Sequence, residues 1–289
     1  MLFRSVSYLT QGVPTLMGQG ERSSQEDRVT TYTDKNKDLP SDWQYTLGKV
    51  SAKIPGWDYG QIPYIDAWGQ KETESSTAKR IVNNFVNPAY TSKFQKDKVE
   101  GELQRLYTET GESVLPERAE RYFNLGDERV DLTGEQYVTY ATEKGQRSYA
   151  LVSSFVNASY YGSQTDGDRT AAIDMLYTYA TEQAKKAVFP EYTSSQSWVE
   201  KANAAIEEGV KPEVYIYLYS KTRGVESLKD SKGETIKNSK GLQIMEAVND
   251  SGVTLTDKQK ALLLDDFGVG KTVIGYNPAK VKQELSKMR

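Results

Sequence analysis

From Ser76 to the C-terminus, apolar residues recur at helical spacing and are cut at short intervals by Gly, Pro and capping residues. That punctuation constrains the fold more than any other feature, because each break limits a helix to a few turns. STAKRIVNNFVNP places Ile81, Val82 and Phe85 on one face and stops at Asn87-Pro88. KDKVEGELQRLYTETG repeats the design with Val99, Leu103, Leu106 and Tyr107, closed by Gly111. RYFNLGDERVDLT, with alternating runs around Gly126-Asp127, predicts a β-hairpin near 121–132. Thr133 with Gln136 forms a capping box for a helix carrying Tyr137, Tyr140 and Ala141. Gly145 is expected to break or kink it before Leu151, Val152, Phe155 and Val156. Thr165 and Asp168 open another helix, whose stripe Ile173, Leu176, Ala180, Ala184 and Ala187 runs as far as Pro190. Further helices are predicted at 195–208, 212–221, 239–249 and 257–267, the last capped by Thr256 with Gln259. Asn277-Pro278 opens a final one. No fixed-period repeat points to a solenoid. The expected fold is mainly α: an irregular multi-helix domain at 76–289 with one small β-hairpin.

The first 75 residues read differently, as an extended N-terminal arm and an aromatic-anchored linker. Residues 18–42 are polar and lack a sustained period. Ser41 then caps a short helix with Trp43, Leu47 and Val50. In IPGWDYGQIPYIDAWG, Pro fixes the backbone and Gly permits turns, which predicts a loop held by its aromatics. Burial of such aromatics packs the arm on the main body, and the same residues suit contact with another protein. The candidate contact residues are Trp57, Tyr59, Tyr64, Trp68, Asn87, Pro88 and Tyr90.

Composition removes much of enzyme space. The chain has no Cys and no His, which excludes disulfides, thiol nucleophiles, His-based triads and most zinc, copper or haem sites. A formal net charge of −3 with interspersed charges gives no basic stripe, so nucleic-acid binding is not expected. No stretch approaches the ~18 apolar residues of a membrane span. The opening MLFRSVSYLTQGVPTL, interrupted by Arg4, is a poor signal peptide. Gly268-Val269-Gly270-Lys271-Thr272 echoes a phosphate-binding loop, but Asp265 stands where the first Gly belongs and KALLLDDF before it reads as a helix. TDGDR (165–169) has calcium-like residues without the 12-residue loop, and helix capping accounts for its acids. The carboxylate pairs Asp265-Asp266 and Glu207-Glu208 are adjacent on helices and do not share a face. Tyr160-Tyr161 and Tyr215, Tyr217 and Tyr219 are expected to pack or to meet protein, and KDSKGETIKNSKG (229–241) to be a solvated loop. No catalytic, cofactor-binding or metal residue is assigned.

Several phrases resemble a known family: VPTLMGQ (13–19), DRVTTYTDKN (27–36), KIPGWDYGQIPYIDAWGQ (53–70), FVNPAYTS (85–92), the run from Glu102 to Gln146, and VGKTVIGYNPAKV (269–281). Their order and spacing are similar to the C-terminal globular portion of tail tape measure proteins and related large internal or ejected proteins of tailed bacteriophages of Gram-positive hosts. The resemblance spans essentially the whole chain and rests on structural phrases. It implies a non-enzymatic virion structural protein needing no cofactor. Such a protein sits in the tail against the distal tail protein and tail hub as a homo-oligomer, commonly a trimer, and passes through the host cytoplasm during assembly. Relatives are usually longer, so the chain is expected to be a processed C-terminal part or a shorter relative. Two alternatives stand beside this reading. One is an intracellular phage-encoded binder of a host defence protein. The other is a virion-associated peptidoglycan hydrolase with Glu112, Glu135 or Glu143 as its acid.

Overall fold

The structure is a computed structural model that describes residues 29–34, 39–51, 59–71, 98–125 and 128–288. Among them the fold is mainly helical with two small two-stranded antiparallel sheets. In chain order the elements are β1 (Val29–Thr31), α1 (Ser41–Ser51), β2 (Gln61–Pro63), α2 (Lys98–Thr110), β3 (Tyr122–Leu125), β4 (Glu128–Asp131), α3 (Gly134–Val156) and α4 (Asp166–Val188). α5 (Ser197–Glu207), α6 (Pro212–Thr222), α7 (Ser239–Asn249), α8 (Asp257–Asp266), α9 (Lys271–Ile274) and α10 (Pro278–Met288) complete the chain. The helix expected from Ser76 to Asn87 lies outside the described residues. No helix among the described residues is long and apolar enough to cross a membrane.

The described residues fall into two compact units interleaved along the sequence. The first draws on segments up to 95, 116–147 and 183–192; the second on 96–115, 148–182 and 193 onward.

In the first unit, β3 and β4 form the expected hairpin, with Tyr122 opposite Asp131 and Leu125 opposite Glu128. The other sheet was not legible in advance. β1 pairs with β2, setting Val29 opposite Pro63 and Thr31 opposite Gln61. Three residues of β-branched Val-Thr-Thr suffice once a partner strand is supplied from thirty residues on. The core gathers Tyr32, Ile65, Phe123, Leu132, Tyr137, Tyr140, Ala141 and Ala184. The Tyr32 hydroxyl donates to the Leu132 carbonyl at 2.7 Å, so its polar end is satisfied inside that core. Thr133 and Gln136 close the predicted capping box, each accepting the other's backbone N–H at 3.3 and 2.9 Å. α3 then runs without interruption through Gly145. The expected break is corrected: Gly145 is an adaptation to close packing, described below, and the helix ladder carries it.

The second unit is built from short amphipathic helices around buried tyrosines. Val99, Leu103 and Leu106 line the inner face of α2, while Tyr107 is 47% exposed, one position off the stripe assigned to it. Tyr160, Tyr161, Tyr215 and Tyr217 are buried as expected. Phe155 meets Tyr161 edge-on at 5.1 Å, and Tyr160 stacks on Tyr217 at 5.2 Å. Gln164 joins this cluster to the turn after α7 by donating to the carbonyls of Tyr160 and Ser251 at 2.9 and 3.0 Å, and it accepts from the Tyr217 hydroxyl. At the start of α4, Arg105 bridges Glu102 and Asp166, both at 2.8 Å, and Arg169 reaches Asp166 at 2.7 Å. The TDGDR acids therefore cap and pair, and Asp168 accepts from Lys221 at 2.9 Å. Thr256 with Gln259 forms the predicted capping box of α8. Gly268 follows the end of that helix, and Lys271–Ile274 is a single turn. Of the solvated loop expected at 229–241, residues 229–235 are exposed throughout, whereas α7 already begins at the buried Ser239.

Candidate functional site

The segment Tyr59–Lys71 holds three of the candidate contact residues, and its shape follows from one short turn. Asp66 Oδ1 accepts the backbone N–H groups of Trp68 and Gln70 at 2.9 and 2.8 Å. The Asp66 N–H donates to the Gln70 carbonyl and that of Gly69 to the Asp66 carbonyl, while Ile65 pairs with Lys71. Gly69 closes the turn at φ +73°, a conformation few other residues adopt.

The turn lies backbone against backbone on α3. A Cβ on Gly145 would sit 2.0 Å from the Gly69 nitrogen and 2.3 Å from the Trp68 carbonyl carbon. A Cβ on Gly69 would sit 2.3 Å from the Thr142 carbonyl oxygen. Neither glycine leaves room for a side chain, and every group in the way is main chain. Gln146 Nε2 donates to the Gly69 carbonyl at 3.4 Å, and Ile65, 1% exposed, is buried in the core just before the turn.

The aromatics are held on this frame half-buried. The Arg118 guanidinium lies 4.2 Å from the centroid of the Tyr64 ring while its Nε donates to the Ile65 carbonyl at 3.2 Å. Tyr59 shares its carbonyl with the Ser51 hydroxyl at 2.8 Å. Trp68 sits within the turn itself. The structure thus brings Tyr59, Tyr64 and Trp68 onto one segment, and Trp57, Asn87, Pro88 and Tyr90 lie outside the described residues. On the same stretch of α3, burial lowers the proton affinity of the Lys144 ammonium, opposed by Glu117 and Glu120 and reinforced by Lys185.

The same unit carries a surface cleft of about 400 Å³ where α1 begins, walled by Tyr32, Tyr45, Arg121, Arg129 and Asp131. No protein-family model, curated protein or solved structure matches the chain. What the site does therefore rests on its own geometry.

Among the described residues no group of three or more acidic side chains is placed to hold a metal ion. Of the glutamates weighed as acids, Glu143 is paired with Arg147 at 2.8 Å, and Glu112 and Glu135 lie exposed.

Sequence reasoning missed Arg118, Arg121, Gly69 and Gly145. The one signal available was at Gly145, a lone Gly inside a strong helical pattern, which points to close approach as readily as to a kink. The arginines gave none, since the rings they cover are distant in sequence.

Proposed function

We propose that this chain is a structural component of a tailed-phage particle, a tail tape-measure-type module acting by protein–protein contact in tail assembly or DNA ejection. Its partners on this reading are other tail proteins, the distal tail protein and tail hub, with a homo-oligomer, commonly a trimer, as the working state. It acts without catalysis or cofactor. The observation that carries the reading is the docking of the Asp66–Gln70 turn on α3, which keeps Tyr64 and Trp68 half-buried on a rigid frame. Interfaces favour such preorganised aromatics, because little side-chain freedom is left to lose on binding. The phrases that resemble tape measure proteins include this same segment.

Peptide mapping of purified phage particles by mass spectrometry tests the reading. Peptides of this chain in the particle, alone or joined to upstream sequence, are the expected result. Their presence in infected-cell lysate with none in the particle overturns it and leaves the intracellular binder as the better account.

A further inference from the structure

The cleft at the start of α1 combines two features that the rest of the first unit does not absorb. Arg121 and Arg129 both line it, and each guanidinium covers a tyrosine, at 4.8 Å over Tyr32 and 3.6 Å over Tyr122. Their in-plane donors are used differently. Arg129 holds Asp131 at 3.0 Å. Arg121 makes a single long hydrogen bond, 3.4 Å from Nη2 to the Thr31 carbonyl, and has no carboxylate within ion-pair distance among the described residues. An arginine oriented by ring stacking, with most of its fork unclaimed, is preorganised for a carboxylate.

Across the cleft stands Tyr45, 47% exposed, with the Lys49 ammonium 4.4 Å from its ring centroid. Lys49 takes one face of the ring, and the rest of its exposed surface is left as an apolar wall. The volume of about 400 Å³ is that of a site for a few residues or a small ligand. Asp42 and Asp131 also line it. Two carboxylates beside two guanidiniums disfavour phosphate or a polyanion, while Asp42 remains an acceptor for peptide N–H groups.

We propose that this cleft docks a carboxylate-bearing peptide segment of a partner protein, with Arg121 taking the carboxylate and Tyr45 packing an adjacent apolar side chain. The proposal rests on reading the chain as a protein-contact module and names the chemistry of that contact. Its test uses purified chain, so a negative result removes the cleft without bearing on whether the chain occurs in particles.

The experiment is NMR titration of the full ¹⁵N-labelled chain, following the Arg121 Nε–H signal, with acetyl-Leu-Glu-Leu-amide and acetyl-Leu-Gln-Leu-amide. Sodium acetate and inorganic phosphate are titrated separately. Saturation by the Glu peptide at concentrations at least tenfold below the Gln peptide is expected, with acetate and phosphate weaker than the Glu peptide. Arg121→Ala abolishes the Glu-over-Gln preference. Tyr45→Ala, which trims an exposed ring, weakens both peptides at least threefold. Equal binding of the two peptides, absence of saturation, or Tyr45→Ala without effect overturns the proposal. Acetate matching the peptide marks a small-anion site and overturns it too, as does tighter binding of phosphate.

Discussion

Two turns in this molecule have the same backbone and opposite fates. Asp230 repeats each bond of Asp66: its Oδ1 accepts from Lys232 and Glu234 at 2.9 and 2.8 Å, and its N–H donates to the Glu234 carbonyl. Gly233 closes it at φ +82°, and Lys229 pairs with Thr235 as Ile65 pairs with Lys71. The turn of the first unit is docked; that of the second is exposed on every side, with nothing within 4 Å of a Cβ placed on Gly233. Asp and Gly therefore set the turn, and the residues between and before them set its fate. Ile65, Ala67 and Trp68 face Lys229, Ser231 and Lys232 at equivalent positions. Apolar groups drive the first turn onto its unit, whereas hydrated ones keep the second in water.

Four results would break or sharpen this contrast. The largest effect is expected at Gly145. Gly145→Ala pushes a methyl into the backbone of Trp68 and Gly69, which has no rotamer to yield, and costs about 3 kcal/mol. Gly233→Ala meets no neighbour and carries only the strain of a positive φ, about 1 kcal/mol. Urea midpoints of the two variants, each taken against the parent, measure the difference.

Next comes Trp68→Lys, which gives the docked turn the side chain of its exposed counterpart. A loss of about 1–2 kcal/mol is expected from the half-buried ring. Proteolysis near residues 59–71 should quicken with it, and an unchanged digestion pattern would count against docking by side chains.

Acid separates the units by a smaller margin. The docking of the first unit's turn rests on main-chain contact with α3. In the second unit, hydrogen bonding to Arg105 holds the Asp166 carboxyl at about 2, below its ordinary 3.8, and also lowers Glu102. A depressed carboxylate stabilises the fold fully above its unfolded value and loses that contribution as pH falls through the folded one. Stability credited to the α2–α4 network should therefore fade between about pH 4 and pH 2, modestly, because these groups are partly hydrated. Arg105→Gln should flatten that part of the pH–stability curve. The smallest change is expected for Lys232→Trp, within about 0.5 kcal/mol of the parent in urea, since no surface waits to receive the ring.

Helices were legible where local chemistry decides them. The Thr133/Gln136 and Thr256/Gln259 boxes, the Asn277 cap and the spacing of Val99, Leu103 and Leu106 each act within one or two turns. Pairing across distance was not. Nothing near Val29 announces Pro63 as its partner, and nothing near Gly145 announces Gly69. Tyr107 was misplaced because a one-residue step around a helix separates buried from exposed, and aromatic character does not settle which side wins. Of the candidate site, the aromatic segment was legible from its Pro, Gly and ring content. Arg118, which covers the Tyr64 ring, and Arg121, which lines the cleft, depend on tertiary approach, which periodicity does not encode.

Native-state hydrogen exchange of the two turns is the most direct test. The amides of Trp68 and Gln70 and those of Lys232 and Glu234 make the same local bonds to an aspartate, so any difference in protection reports docking alone. Protection of the first pair at least a hundredfold above the second, falling to the same level in Gly145→Ala, is the predicted result. Equal protection of the two pairs in the parent chain would contradict a docked, rigid aromatic segment and remove the support it lends to a contact function.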